Sequence, residues 1–185
     1  MIKKISDKIW KIPSEGNVYF LDFEEKIIID TSARVNRHII KQFLSKVVDF
    51  DKVDKVIFTH LHLDHIGNFD LFPNAKFFAS EEEIEDFKKD PAGATLDPFI
   101  AKKFDVELNP LKRLEGFKII STPGHTRGSI CLWFPDKKIL FSGDTLFMNG
   151  YGRVDLPTSV PGKMEDSLRK LKAYDYEILC PGHDY

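Results

Sequence analysis

The stretch Thr59–Asn68, THLHLDHIGN, decides how this chain is read. It places His60, His62, Asp64 and His65 within six residues, at the end of the short apolar run Val56–Thr59. In extended backbone, side chains two positions apart point the same way, so His60 and His62 can converge on one metal ion. Asp64 and His65 come where the chain should turn toward a helix, which lets them address a second ion nearby. One isolated histidine would ordinarily be a polar loop residue. Three imidazoles and a carboxylate packed behind an apolar strand are hard to satisfy without a cation, because buried polar groups need partners.

Working outward, the same pattern returns after later apolar runs. His125 lies in TPGHTRGS, where Pro123, Gly124 and Gly128 mark a tight turn behind Phe117–Ser121. Asp144 lies in FSGDTLF, where Gly143 permits close backbone approach and Thr145 can bond locally. His183 lies in CPGHDY. Five of the six histidines thus sit at strand ends beside Gly or Asp, and His38, inside an amphipathic helix, reads as structural or exposed.

The framework follows from periodicity. Ile5–Ile12, Val18–Phe23 and Lys26–Asp30 read as three strands of a meander, divided by Pro13, Gly16 and Asn17. Apolar residues from Ile39 to Val48 recur at helical spacing, predicting an amphipathic helix over Arg34–Asp49. A strand at Lys76–Ala79 and an acidic helix at Glu81–Lys89 come next. Pro91–Glu115, broken by Pro91, Gly93, Pro98 and Pro110, reads as a surface excursion with one helical piece around Phe99–Phe104. It is expected to border the pocket mouth and restrict substrate size. Strands are expected at Phe117–Ser121, Ile130–Phe134, Lys138–Phe141 and Glu177–Cys180, with a helix over Gly162–Ala173 that turns Met164, Leu168 and Leu171 inward. Two clusters of strands, each followed by helices, predict two sheets packed face to face with helices outside.

The length of 185 residues suits one domain, 1–185, and 42% hydrophobic with 30% charged residues fits a water-soluble chain. Net charge is -2, with 27 basic and 29 acidic residues intermixed, so nothing favours nucleic acid as a partner. No apolar run approaches membrane-helix length, and Met1–Trp10 lacks the apolar stretch of a secretory signal, so a cytoplasmic protein with no membrane partner is expected. Cys131 and Cys180 stand apart and read as buried thiols.

Asp30, THLHLDH, TPGHTRGS, FSGDTLF and CPGH, in this order, resemble the metallo-β-lactamase superfamily across nearly the whole chain. Within it, GDTLF followed by Gly150–Arg153, GYGR, resembles the glyoxalase II branch, the hydroxyacylglutathione hydrolases, and their relatives the persulfide dioxygenases. The resemblance implies an α/β fold, the four-layer αββα sandwich. It implies two divalent metal ions, zinc first, with iron and manganese also compatible. His60, His62 and His125 would bind one, Asp64, His65 and His183 the other, and Asp144 both, with Asp30 orienting the ligand loop. Asp64 and Asp144 would be catalytic, a metal-bridging hydroxide the nucleophile, and Arg153, nine residues after Asp144, a grip for an anionic thioester through two parallel hydrogen bonds, its alternative being a surface position or a pairing with Asp155. The implied activity is hydrolysis of a small thioester, ester or lactone. Competing expectations are a mononuclear iron persulfide dioxygenase and a metal-binding protein without catalysis. Glyoxalase II enzymes generally carry a C-terminal helical region that helps hold glutathione, whereas this sequence ends two residues beyond His183, so the resemblance leaves glutathione recognition open.

Overall fold

The computed structural model describes residues 1–185. Strands β1 (Lys3–Ser6), β2 (Ile9–Ile12), β3 (Val18–Asp22) and β4 (Lys26–Ile29) form an antiparallel meander. Parallel strands β5 (Lys55–Ile57), β6 (Lys76–Ala79) and β7 (Leu108–Pro110) extend it into a seven-stranded sheet in the order β1 to β7. The second sheet has four strands in the order β11-β10-β9-β8, from β8 (Lys118–Ser121), β9 (Ile130–Phe134), β10 (Ile139–Gly143) and β11 (Ile178–Pro181). Helices α1 (Arg37–Leu44), α2 (Leu63–Ile66), α3 (Glu81–Lys89), α4 (Pro91–Thr95), α5 (Pro98–Lys103) and α6 (Pro161–Leu171) complete the chain.

The alternation of side chains along each strand explains the layers. On β3, Tyr19 and Leu21 point between the sheets, where they join Ile29 and Ile57 against Leu132, Phe134 and Phe141 of the second sheet. Val18 and Phe20 point to the opposite face, packed with Ile28 and Val56 under Ile40, Leu44 and Ile84 of the helices. Ile120, Cys131 and Leu140 of the second sheet meet Leu171 of α6 on its outer face. The result is the αββα sandwich. No helix is long and apolar enough to cross a membrane.

Strand direction then gathers the motifs. β4, β5 and β6 run parallel, and β8, β10 and β11 run alike because β9 is antiparallel to both β8 and β10. Asp30, Thr59–His65, His125, Asp144 and His183 all follow the C-terminal ends of these strands, so two adjacent sheet edges present them to one place.

Three elements differ from expectation. Ile5–Ile12 is two strands, because the chain reverses at Asp7–Lys8, with Lys8 in the left-handed region (φ 60°) and its carbonyl accepting the Asp22 N–H at 2.9 Å. The helix predicted to Asp49 ends at Leu44, where three-residue turns from Phe43 and Leu44 take over. Val48 remains buried in the core all the same. Pro91–Glu115 holds two short helices and a strand rather than one helical piece, and it is built into the fold rather than laid on its surface, since Ala94, Thr95, Ile100 and Phe104 are buried. Each short helix starts on an Asp-Pro pair. Asp90 accepts the Gly93 N–H, and Asp97 accepts those of Phe99 and Ile100, while proline at the first helical position needs no donor partner.

Because Asp97 satisfies two otherwise free donors at the start of α5, Asp97→Ala is expected to cost about 1 kcal/mol of stability. Urea unfolding checks this, and an unchanged midpoint would contradict it.

Candidate metal centre

Local structure explains how each donor is aimed. β5 gives way to extended backbone that His62 continues (φ -66°, ψ 152°) as the residue capping α2, so His60 and His62 lie on one side and Asp64 and His65 on the following turn. Asp30, itself in the left-handed region (φ 57°), accepts the Thr59 N–H and hydroxyl, each at 2.8 Å, and its Oδ2 faces His65 Nδ1 at 2.9 Å. One buried carboxylate therefore pins the start of the loop and the ring at its end. Asn68 fastens the loop's exit, donating to the Thr31 and Ala33 carbonyls at 2.8 and 2.9 Å.

The seven residues singled out as metal ligands come together. Donor atoms of His60, His62 and His125 lie within 4.8 Å of one another, as do those of Asp64, His65 and His183, and those of His60, His65 and Asp144. His125 Nε2 stands 3.2 Å from His60 Nε2 and 2.9 Å from His62 Nδ1. Ligand nitrogens around a tetrahedral zinc, with bonds near 2.0–2.1 Å, are about 3.3 Å apart, so these three are close to that spacing. Asp144 faces both groups: its Oδ1 is 3.3 Å from His65 Nε2, and its Oδ2 is 3.3 Å from His183 Nε2 and 3.5 Å from His125 Nε2. Asp64 Oδ2 is 3.3 Å from His183 Nε2. His65 Nε2 and Asp144 Oδ1 are buried, yet neither makes an aligned hydrogen bond. Buried, unpartnered nitrogen and carboxylate donors converging on one point fit a divalent cation.

Ring orientation is set from behind. His125 Nδ1 donates to the Arg153 carbonyl at 2.7 Å, and His60 Nδ1 is 3.1 Å from the Thr59 hydroxyl. The first hairpin holds the last loop: Asn17 N–H donates to the Gly182 carbonyl at 2.6 Å, and the Tyr19 hydroxyl to the Pro181 carbonyl at 2.7 Å. Gly182 is required for space, because a Cβ there would lie 2.1 Å from Asp144 Oδ1.

Charge divides the cluster in two. Burial, helped by the neighbouring imidazoles, holds His60 well below the ordinary histidine value, and burial likewise brings His62 down to about 3 and lowers His125. These rings are neutral, with lone pairs free to coordinate. In the other group burial is outweighed. His65 is held well above its ordinary value by Asp144, Asp30 and Asp64, and His183 rises to about 9 beside Asp144 and Asp64. The same contacts overcome burial at the carboxylates, taking Asp64 down to about 2 and Asp144 well below the usual range.

A cleft of about 430 Å³ opens over the cluster, walled by Leu63, Leu96, Phe147, Tyr151, Leu156 and Tyr185. Tyr185 stacks on His183 with centroids 5.1 Å apart, and Phe147 meets the same ring edge-on at 5.8 Å. Phe147, Tyr151 and Tyr185 fall inside the FSGDTLF, GYGR and CPGHDY stretches, but only the fold brings them together as an aromatic wall. Leu96 alone represents Pro91–Glu115 in the cleft, so that segment contributes one side chain to the mouth. The Arg153 guanidinium lies on the cleft wall, 66% exposed, and is engaged in two bonds to Asp155 at 2.8 and 2.9 Å. Glu83 was also missed, although Ser80 three residues earlier marks a capping position. It is buried, and burial pushes its carboxyl up to about 7.

An αββα sandwich with histidine and aspartate donors at the ends of both sheets defines a class of metal-binding, hydrolase-like folds. Residues 12–183 match the model of the metallo-beta-lactamase superfamily, and the chain belongs to that superfamily. It is 30% identical over 182 residues to a probable metallo-hydrolase of Methanocaldococcus jannaschii, covering 91% of this chain and 87% of the relative. It is 38% identical over 139 residues to the hydroxyacylglutathione hydrolase of Brucella ovis, covering 72% of this chain and 49% of the relative, so the match spans about half of that enzyme. Among solved structures, TTHA1623 in a di-iron-bound form superposes with a TM-score of 0.73 at 24% identity over 92% of this chain and 88% of that one. The flavodiiron protein from Giardia intestinalis gives 0.74 at 14% identity over 98% of this chain and 54% of that one. At these identities the likeness is one of fold.

The charge pattern has a measurable consequence. His65, held well above its ordinary value, and His183, at about 9, carry protons at pH 7 in the metal-free chain, and coordination requires the unprotonated ring. Zinc loading at pH 7 is expected to release about two protons from these rings, and fewer as pH rises past the His183 value, whereas His60, His62 and His125 release none. Nitrogen-15 NMR of the histidine rings before and after zinc addition, which separates ring protons from any lost by metal-bound water, counts them. Proton release that stays flat with pH would contradict the assignment.

Proposed function

We propose that this chain is a metal-dependent hydrolase with two cation positions, cleaving a small thioester, ester or lactone. His60, His62 and His125 would hold one cation, Asp64, His65 and His183 the other, and Asp144 both. The carrying observation is Asp144, whose two carboxylate oxygens face histidines of both groups. Zinc is the first choice, and iron and manganese suit the same donors. Cations held there supply Lewis acidity, acidifying water and polarising a carbonyl.

The chain's own residues supply the rest. Asp144, buried and ionised, keeps a negative charge between the two histidine groups. Asp64 is also ionised, and its side chain is the more exposed of the two carboxylates, lining the cleft where it can accept a hydrogen bond from water and orient it. Phe147, Tyr151, Leu96 and Leu156 offer an apolar wall for an acyl or thiol portion and limit the water around it. An anionic substrate would have to draw the Arg153 guanidinium from Asp155, which makes this arginine a selectable rather than a standing anion site. Thioesters come first because the hydroxyacylglutathione hydrolase likeness covers 72% of this chain. The reading extends to a cytoplasmic enzyme without nucleic-acid or membrane partners; the net charge of -2, with 27 basic and 29 acidic residues intermixed along the chain, supports the absence of a nucleic-acid partner.

Asp144→Ala is expected to lower thioester and ester turnover by orders of magnitude and to release at least one metal equivalent, because both positions share this carboxylate. Turnover on a substrate panel with elemental analysis checks it. Full activity at unchanged metal content would sink the proposal, and so would oxygen uptake with a persulfide substrate in place of hydrolysis.

A further inference from the structure

Glu83 is a buried carboxylate outside the metal-ligand set, and its surroundings set it apart from its neighbours. Glu81 and Glu82 beside it are exposed, as expected at the start of a helix, whereas Glu83 is 2% exposed. Ser80 caps α3 by accepting the Glu83 N–H at 3.1 Å. In a capping box the glutamate at this position returns to the backbone N–H of the capping residue. Here it turns inward instead. Its Oε2 accepts the N–H of Leu61 at 2.8 Å, the residue between His60 and His62. Its Oε1 accepts the hydroxyl of Thr126, the residue after His125, in a short hydrogen bond.

The supports around this carboxylate converge on the same two loops. Thr126 Oγ1 also meets Ser129 Oγ at 2.7 Å, and Ser80 Oγ donates to the Gly128 carbonyl at 2.6 Å. Gly128 lies so close that a Cβ there would stand 2.5 Å from the Glu83 N–H nitrogen. Thus α3, which contributes no metal donor, clamps the loop after β5 to the loop after β8. Those loops carry all three histidines of the neutral group; Asp64 and His65 follow on the same chain, but His65 is held by Asp30 instead, and neither they nor His183 hydrogen-bonds Glu83. A buried carboxylate is a costly way to fasten two loops unless its charge-assisted bonds hold a geometry that matters.

We propose that Glu83 is a positioning residue that sets the spacing of His125 against the His60–His62 pair and so tunes cation affinity at that position selectively. This rests on the two-position reading above. Leu61 N–H and the Thr126 hydroxyl both donate to Glu83, whereas a glutamine keeps only Leu61 on its oxygen and must donate its amide to Thr126, so Glu83→Gln turns two charge-assisted bonds into neutral ones and weakens both straps at nearly constant shape.

The test is a zinc titration of the metal-free full chain, in a chelator buffer, followed by nitrogen-15 NMR of the histidine rings. In the wild type, His60, His62 and His125 form one set of responding rings and His65 and His183 another. In Glu83→Gln the first set is expected to need about tenfold more free zinc and the second to stay within about twofold. Metal-free melting above pH 7 is expected to be unchanged or raised, since a buried charge has gone. Glu83→Asp keeps the charge but cannot span both loops, so it should shift the same three rings, and it decides the matter if the glutamine variant does not fold. Equal shifts of all five rings, or no shift in a folded variant, would overturn the role of Glu83. A wild type in which all five rings respond as one set would instead overturn the two-position reading.

Discussion

The structure turns on the burial of five imidazoles and the Asp144 carboxylate, with half-buried Asp64 beside them, at one point between the edges of two sheets. Without a cation the arrangement is internally opposed. His125 and His62 bring two ring nitrogens to 2.9 Å while burial keeps both rings neutral, so at most one hydrogen bond can form where several lone pairs meet. On the other side, His65 holds its proton because Asp144, Asp30 and Asp64 are beside it, and His183 because Asp144 and Asp64 are. Divalent cations would satisfy both halves, replacing the protons in one and filling the space between lone pairs in the other.

Much of the remaining fold serves that convergence. The strands that end at the cluster run alike within each sheet, and the helices cover the faces turned away from the inter-sheet core. Holding the donors still falls to residues that do not reach the centre. Asp30 joins Thr59 to His65, Glu83 joins the residue between two histidines to the residue after a third, and Asn17 with Tyr19 fastens the loop of His183. Each tie links segments far apart in the chain, which is how loops can present side chains with the definition of regular elements.

The donor residues were legible because each sits in a short motif directly behind an apolar run, and strand alternation carries His60 and His62 to one side. The ties were less so. Glu83 reads as one of three glutamates opening a helix, since its inward turn depends on Leu61 and Thr126, which only the folded chain brings near. The strand break at Asp7–Lys8 was hidden by an apolar pattern that continues on both sides of it. The Asp-Pro pairs before α4 and α5 were visible as breakers, though they act here as helix starts. Arg153 shows the limit of a motif: its place beside the cleft followed from its nine-residue distance to Asp144, and of the two roles the sequence offers, anion grip or partner of Asp155, the fold takes the second.

The account rests on two cation positions in one buried cluster, and anomalous diffraction from crystals of the zinc-loaded chain, with elemental analysis of the same sample, tests that directly. It predicts two metal equivalents per chain and two anomalous peaks, one among His60, His62 and His125 and one among Asp64, His65 and His183, with Asp144 against both. A single peak with one equivalent at saturating zinc, and Asp64 and His183 turned away from it, would contradict it.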